Sequence, residues 1–138
     1  MKLFSSLARF LGLVAGPIDP SVRALGPQTA VGAKALELVR VLDELVSLLQ
    51  ADGEMHWSLW MREASHRISA NDLAGVHKVL GAYGGMGSFN DLIVGQSSVD
   101  GRVVLSDDID ALNSSLSGLR SSAYELALEL REMVEAAR

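Results

Sequence analysis

The first place in this chain where residue types and spacing could do chemistry is "AYGGMGSFNDLIV" (residues 82–94). There Gly84, Gly85, Gly87, Ser88, Asn90 and Asp91 crowd together within otherwise apolar sequence. Glycine-rich loops can cradle phosphate with their backbone N–H groups. A Walker-type loop also needs a lysine near its end, and a dinucleotide fingerprint needs three correctly spaced glycines between a strand and a helix. Here there is no lysine, Asn90 stands where the third glycine belongs, and helix-like sequence precedes the loop. The segment therefore reads as a hard corner. Gly84 ends a helix in the left-handed position, Gly85 and Gly87 turn the backbone, and Ser88 with Asp91 forms an S-x-x-D cap. Met86 and Phe89 are expected to tuck inward, and no cofactor is expected.

Other constellations carry less. His56 and His66 lie ten positions apart on one helix, about 80° around it and nearly three turns along it, too far to share an ion. His77 could join them only through a fortunate helix crossing, and no H-E-x-x-H or paired-carboxylate pattern occurs, so no metal site is expected. No serine lies in G-x-S-x-G or has a histidine that the sequence positions as its base, and no catalytic residue is nominated. Glu125, Glu129 and Glu132 have helical spacing but no histidine beside them, and they read as a solvated face. What remains is a binding surface. Trp57, Trp60, Tyr83 and Phe89 could wall an apolar pocket beside the glycine loop, although rings that each remove about 150–250 Å² from water are more often core.

The elements that must hold these residues are helical. The 138 residues are 49% hydrophobic and 21% charged, enough for one domain with a sizeable core. The opening "MKLFSSLARFLGLVAG" is an amphipathic helix by its apolar spacing, interrupted by Arg9 and without a small-x-small site before Pro17, so it is not read as a secretory signal. It is too short in apolar length to span a bilayer and is expected to pack on the domain or a subunit, or to touch a membrane surface. Pro17, Pro20 and Pro27 make an arm that closes this N-terminal unit (1–29) and leads into a bundle domain (30–138).

Thr29 caps a long helix that ends at Asp52-Gly53 and is apolar around most of its circumference, with a polar stripe of Glu37, Arg40, Glu44 and Ser47. A second helix follows with Trp57, Trp60, Met61, Ala64 and Ile68 on one face. Asn71 or Asp72 then caps a short third helix. "LIV" and "RVVL" permit a small hairpin. Ser106 caps a last helix whose Ile109, Leu112, Leu116, Leu119, Ala123, Leu126, Leu130, Met133 and Ala137 form an a/d seam. The expected fold is all-α: about four bundle helices, the N-terminal amphipathic helix, and a β-hairpin between the third and last bundle helices.

The two tryptophans in a helix, "NDLAGVHKVLGAYGGMGSFNDLIV" (residues 71–94) and "LRSSAYELALELR" (residues 119–131) together resemble a small bacterial domain family of unknown function with a GGMGS-aromatic/aliphatic-ND core. The resemblance covers about residues 52–131. It implies a bacterial, mostly helical domain and directs attention to residues 84–91, and it brings no activity with it.

Charge bounds the partners. The chain has a net charge of −5, and residues 91–138 carry nine acidic against four basic groups, a balance that disfavours nucleic acid and suits a basic protein. Asp107, Asp108 and Asp110 are the best-clustered acidic contact, and they equally favour the positive end of a helix. The absence of cysteine fits a reducing, cytoplasmic setting. The expected function is that of a non-enzymatic, intracellular protein-interaction domain, in its most concrete form an immunity-type protein that neutralises a basic toxin. Two alternatives stand beside it. One is a small-molecule binding domain or unrecognised enzyme that uses the glycine loop and aromatic set; the other is a structural homodimer or membrane-peripheral adaptor.

Overall fold

The computed structural model describes residues 29–137. The N-terminal stripe and the proline-containing arm lie outside the described residues. Helix α1 (Ala30–Asp52) begins where the Thr29 Oγ1 accepts the Gly32 N–H at 2.8 Å. Leu38, Leu42, Leu45 and Leu49 on α1 are fully buried, and the Glu37, Arg40, Glu44 and Ser47 stripe is exposed, as the spacing predicts. This makes α1 the central helix, with α2 and α4 packed on it. It ends at Gly53 (φ +80°), and Glu54 N–H closes back on Leu49 O at 2.9 Å.

Glu54 at once caps α2 (Met55–Ser69), its carboxylate accepting from Trp57 N–H at 3.2 Å. So short a turn folds α2 back along α1, where Ser65 Oγ donates to Asp43 Oδ1 at 2.8 Å. Met61, Ala64 and Ile68 supply the buried face. Asn71, fully buried at φ +61°, reverses the chain. Asparagine is among the few side chains that tolerate this backbone region. Asp72 Oδ1 then accepts the Ala74 N–H at 2.9 Å, and α3 (Ala74–Gly81) begins after Leu73, its N-cap, and not from the expected Asn71 or Asp72 cap. A Cβ at Gly75 would stand 2.7 Å from both Ala64 O and Ile68 Cγ1, so the close approach of α3 to α2 requires glycine there. Trp60 Nε1 also donates to Lys78 O at 2.8 Å, and the Lys78 ammonium lies over the Trp60 ring at 4.1 Å.

Strands β1 (Gln96–Val99) and β2 (Arg102–Leu105) form the antiparallel hairpin, turned by Asp100 (φ +50°) and Gly101 (φ +75°). All eight strand residues are exposed. The last helix, α4 (Ile109–Ala136), lies along α1 and α3 and ties its surface to α1 through Lys34 and Glu129 at 3.1 Å. No helix among the described residues is long and apolar enough to cross a membrane. The architecture is the expected all-α bundle with a small hairpin before its last helix.

Five further local expectations are corrected. The first strand of the hairpin is Gln96–Val99 and not the LIV run at 92–94, where the Val94 N–H and C=O are taken by the side chain of Asn113 on α4. Helix α3 stops at Gly81 rather than Gly84, because Ala82 turns into the core and its carbonyl is taken by Phe89 N–H at 3.0 Å. Ser106 is the end of the hairpin, its N–H donating to Gly95 O at 2.7 Å, so Asp108 and not Ser106 is the cap residue of α4. The Ser106 hydroxyl instead bonds the Asp108 carboxylate. The seam of α4 is wider than an a/d line: Leu116, Ala123, Ala127, Leu130 and Val134 are buried, while Leu119 and Leu126 are half-buried on its flank. Met86 points fully outward, whereas Phe89 is inside as expected.

Replacing Leu130 by alanine should lower unfolding free energy by about 2–5 kcal/mol, the usual range for a leucine truncated in a packed core. Leu126→Ala should cost clearly less. Urea unfolding of both variants checks the rotation of the seam, and equal losses would contradict it.

Candidate functional site

From Ala82 to Gly95 the chain has almost no regular structure, yet among the described residues most of its amides are hydrogen-bonded, those of Gly84, Gly85, Met86 and Ile93 excepted. Ser88 N–H donates to Gly85 O at 3.2 Å and closes a tight turn that holds Gly87 at φ +80°. Gly84 and Gly85 do not adopt the left-handed backbone expected of Gly84, so Gly87 is the position in this turn that needs glycine. Ser88 caps a single 3₁₀ turn (Phe89–Asp91), its hydroxyl accepting from Asn90 N–H at 3.3 Å. The S-x-x-D pattern is realised in altered form: Asp91 Oδ2 reaches past Ser88 to accept the Gly87 N–H at 2.7 Å. Asn90 and Asp91 are exposed on the outer side of this turn, and Phe89 is sealed beneath it.

Side chains from distant helices complete the loop. Arg120 of α4 donates from Nη1 to both Phe89 O (3.0 Å) and Leu92 O (3.1 Å). Tyr83 OH donates in turn to Arg120 O at 2.7 Å. Asn113, two turns earlier on α4, copies a strand neighbour: its Oδ1 accepts from Val94 N–H at 2.9 Å and its Nδ2 donates to Val94 O at 2.8 Å. Asp52 of α1 takes the next amide, Gly95 N–H, at 2.7 Å. Asp52, Asn113 and Arg120 do not stand out by type. A signal was nonetheless present, since Asn113 and Arg120 lie one heptad apart on the border of the apolar seam, where a structure-bearing polar pair can sit.

The aromatic set does assemble, around Phe89. Its ring lies 5.3 Å from Trp57 and 5.7 Å from Tyr83; Trp57 and Trp60 are 5.4 Å apart; and Tyr124, which the sequence reading missed, joins Tyr83 at 4.9 Å. Phe89 is fully buried among these rings, while Tyr83 and Tyr124 also line an open groove. Burial holds the Tyr83 phenol well above its ordinary pKa, with Arg120 acting in the opposite direction and Tyr124 adding to the rise. Its O–H therefore stays available as the donor to Arg120 O.

Outside this packing lie two surfaces. Met86 is fully exposed at the tip of the loop. Beside it an open groove of about 850 Å³ is lined by Tyr83, Gly84, Asn90, Arg120, Tyr124, Glu125 and Arg131, among others. The candidate acidic contact is elsewhere: Asp107 and Asp108 precede α4 and Asp110 sits in its first turn, about 15 Å along the helix from Arg120 at 1.5 Å per residue. His56, His66 and His77 are all exposed. No group of three or more His, Cys, Asp or Glu among the described residues could hold a metal ion.

Gly87→Val should cost about 1–2 kcal/mol or more, because a β-branched side chain resists positive φ. Gly85→Ala, at an ordinary φ with open space around it, should be near neutral in the same unfolding measurement. Tyr83 makes a pH prediction. The unfolded phenol ionises near pH 10 while the folded one is held higher, so its contribution is fully present below about pH 10 and is lost as pH rises beyond it. Stability measured by urea unfolding should fall above that pH, and Tyr83→Phe should remove that part of the fall.

Residues 50–102 match a family model described as a domain of unknown function, DUF6966. The match runs from the end of α1 through α2, α3, the loop and β1 to the first residue of β2, so the glycine loop lies wholly within it. No curated protein and no solved structure matches the chain.

Proposed function

We propose that this chain is a non-enzymatic protein-interaction domain whose contact surface is the glycine loop with the groove beside it. The observation that carries the reading is Met86: a large apolar side chain, fully exposed, on a loop whose backbone is bonded by Asp91, Arg120 and Asn113. A pre-organised backbone confines the ordering cost of binding to the side chain itself, and methionine adapts its shape to an apolar recess. The polar atoms of Asn90, Arg120, Glu125 and Arg131 would form the hydrogen-bonding rim of the contact.

The most concrete version is an immunity-type protein of bacterial origin, acting in the cytoplasm on a basic toxin. The acidic balance of residues 91–138 supports a basic partner through long-range steering, with Asp107, Asp108 and Asp110 contributing to the field rather than to the loop contact. A small-molecule ligand is the second reading, favoured by the volume of the groove and its mixture of Tyr83, Asn90 and Arg120.

The test compares tagged protein with its Met86→Asp variant, each captured from the native host and followed by quantitative mass spectrometry. A protein recovered with the natural chain and depleted about tenfold or more by the variant, equivalent to about 1.4 kcal/mol of binding, is the expected result. Identical recovery from two equally stable chains would remove the loop tip from any interface. A shift in melting temperature with a metabolite, lost in Arg120→Met, would favour the groove as a small-molecule site instead.

A further inference from the structure

The hairpin is the longest run of exposed residues among the described residues. Val99, Val103, Val104 and Leu105 are 52%, 70%, 46% and 55% exposed, on a two-stranded sheet whose eight residues are all open to solvent. Isolated two-stranded hairpins are marginal in water, and a long apolar free edge is a template for pairing. The pairing rule for antiparallel strands shows which backbone groups are free. Ser106 N–H bonds Gly95 O one residue beyond the Gln96↔Leu105 pair, so alternation makes Ser97↔Val104 and Val99↔Arg102 the bonded pairs. The N–H and C=O of Val103 and Leu105 therefore point away from β1, and among the described residues nothing bonds them.

We infer that this edge pairs with the same edge of a second copy, β2 to β2 across a two-fold axis through Val104. That register sets Val103 against the partner's Leu105 and Leu105 against the partner's Val103 as bonded pairs, giving four intermolecular backbone hydrogen bonds. It brings the two Val104 side chains together on one face, and clusters the Val103 and Leu105 side chains on the other. Charge selects a second copy over an arbitrary strand. Arg102 has no ion-pair partner among the described residues, and the register places it opposite Ser106 of the other chain. That serine holds the Asp108 carboxylate by a hydrogen bond, so each Arg102 meets a carboxylate already positioned for it, twice by symmetry. The opposite edge, along Gln96 and Ser98, is polar and lacks this complement.

Sedimentation of the full chain tests the inference. Edge pairing alone buries less than the ~1,200 Å² of a tight interface, so association is sought up to about 0.5 mM. The expected mass rises with concentration toward twice the 14.7 kDa of one chain. Val104→Lys opposes two like charges at the axis, and Val103→Pro removes an outward N–H without touching the bonds to β1. Each should weaken dimerisation about tenfold or more with unchanged helical circular dichroism. Arg102→Asp and Asp108→Arg should each weaken it singly and restore it together. A chain that stays monomeric throughout, or a dimer indifferent to Val103→Pro and Val104→Lys in folded variants, would overturn the inference.

Discussion

Phe89 seated in the core beneath the Arg120 guanidinium is the contact on which the rest of the surface depends. The ring is fully buried and touches Trp57 and Tyr83, while its own carbonyl is held by Arg120. Burial of the side chain and bonding of the backbone at one residue anchor a segment that has no ladder of its own. The turn before it and the extended run after it are then positioned by short polar links: Asp91 to Gly87, Asn113 to Val94, Asp52 to Gly95. A buried ring supplies the energy and a few side-chain bonds supply the shape. Met86 consequently projects from a defined scaffold.

The helices impose this arrangement. The near-cylindrical apolar surface of α1 has room for α2 on one side and α4 on another, and Gly75 lets α3 approach α2 closely. Because α3 is only one turn beyond the minimum for a helix, the chain leaves it with the loop still facing α4. Residues on one border of α4, Asn113 and Arg120, can then reach the loop backbone, and the pairing of Tyr83 OH with Arg120 O locks the end of α3 to the same helix. The acidic start of α4 and the hairpin lie beyond this region and form a separate surface.

Much of this was legible in the sequence, and the boundary of legibility has a physical cause. Thr29, Gly53 and the buried faces of α1 and α2 follow from caps and periodicity, which are local. A hairpin was expected and its second strand is the β-branched Arg102–Leu105 run, but its first is Gln96–Val99, within the stretch read as the connection, rather than residues 92–94. The inward turn of Phe89 was expected, and Trp57, Trp60, Tyr83 and Phe89 were read as the walls of an apolar pocket or, more often for such a set, as core. The errors fall where a distant partner decides. Ala82 could end α3 early because Phe89 N–H bonds its carbonyl, and Ser106 was lost as a cap because Gly95 claims its N–H. Met86 and Phe89 are both large and apolar, and Phe89 is the one that meets distant partners, Trp57 and Tyr83 at its ring and Arg120 at its carbonyl. Asp52, Asn113 and Arg120 were overlooked for the same reason, since they act across 19 to 43 residues.

The central claim is that residues 82–95 form a fixed surface rather than a loose connection. Amide hydrogen exchange at Phe89, Val94 and Gly95 tests it most directly, because these N–H groups donate to Ala82 O, Asn113 Oδ1 and Asp52 Oδ1. The account predicts protection at all three close to that of the core amides of α1, with release only on global unfolding. Exchange near the rate of an unstructured peptide at Val94 and Gly95, while α1 stays protected, would contradict it.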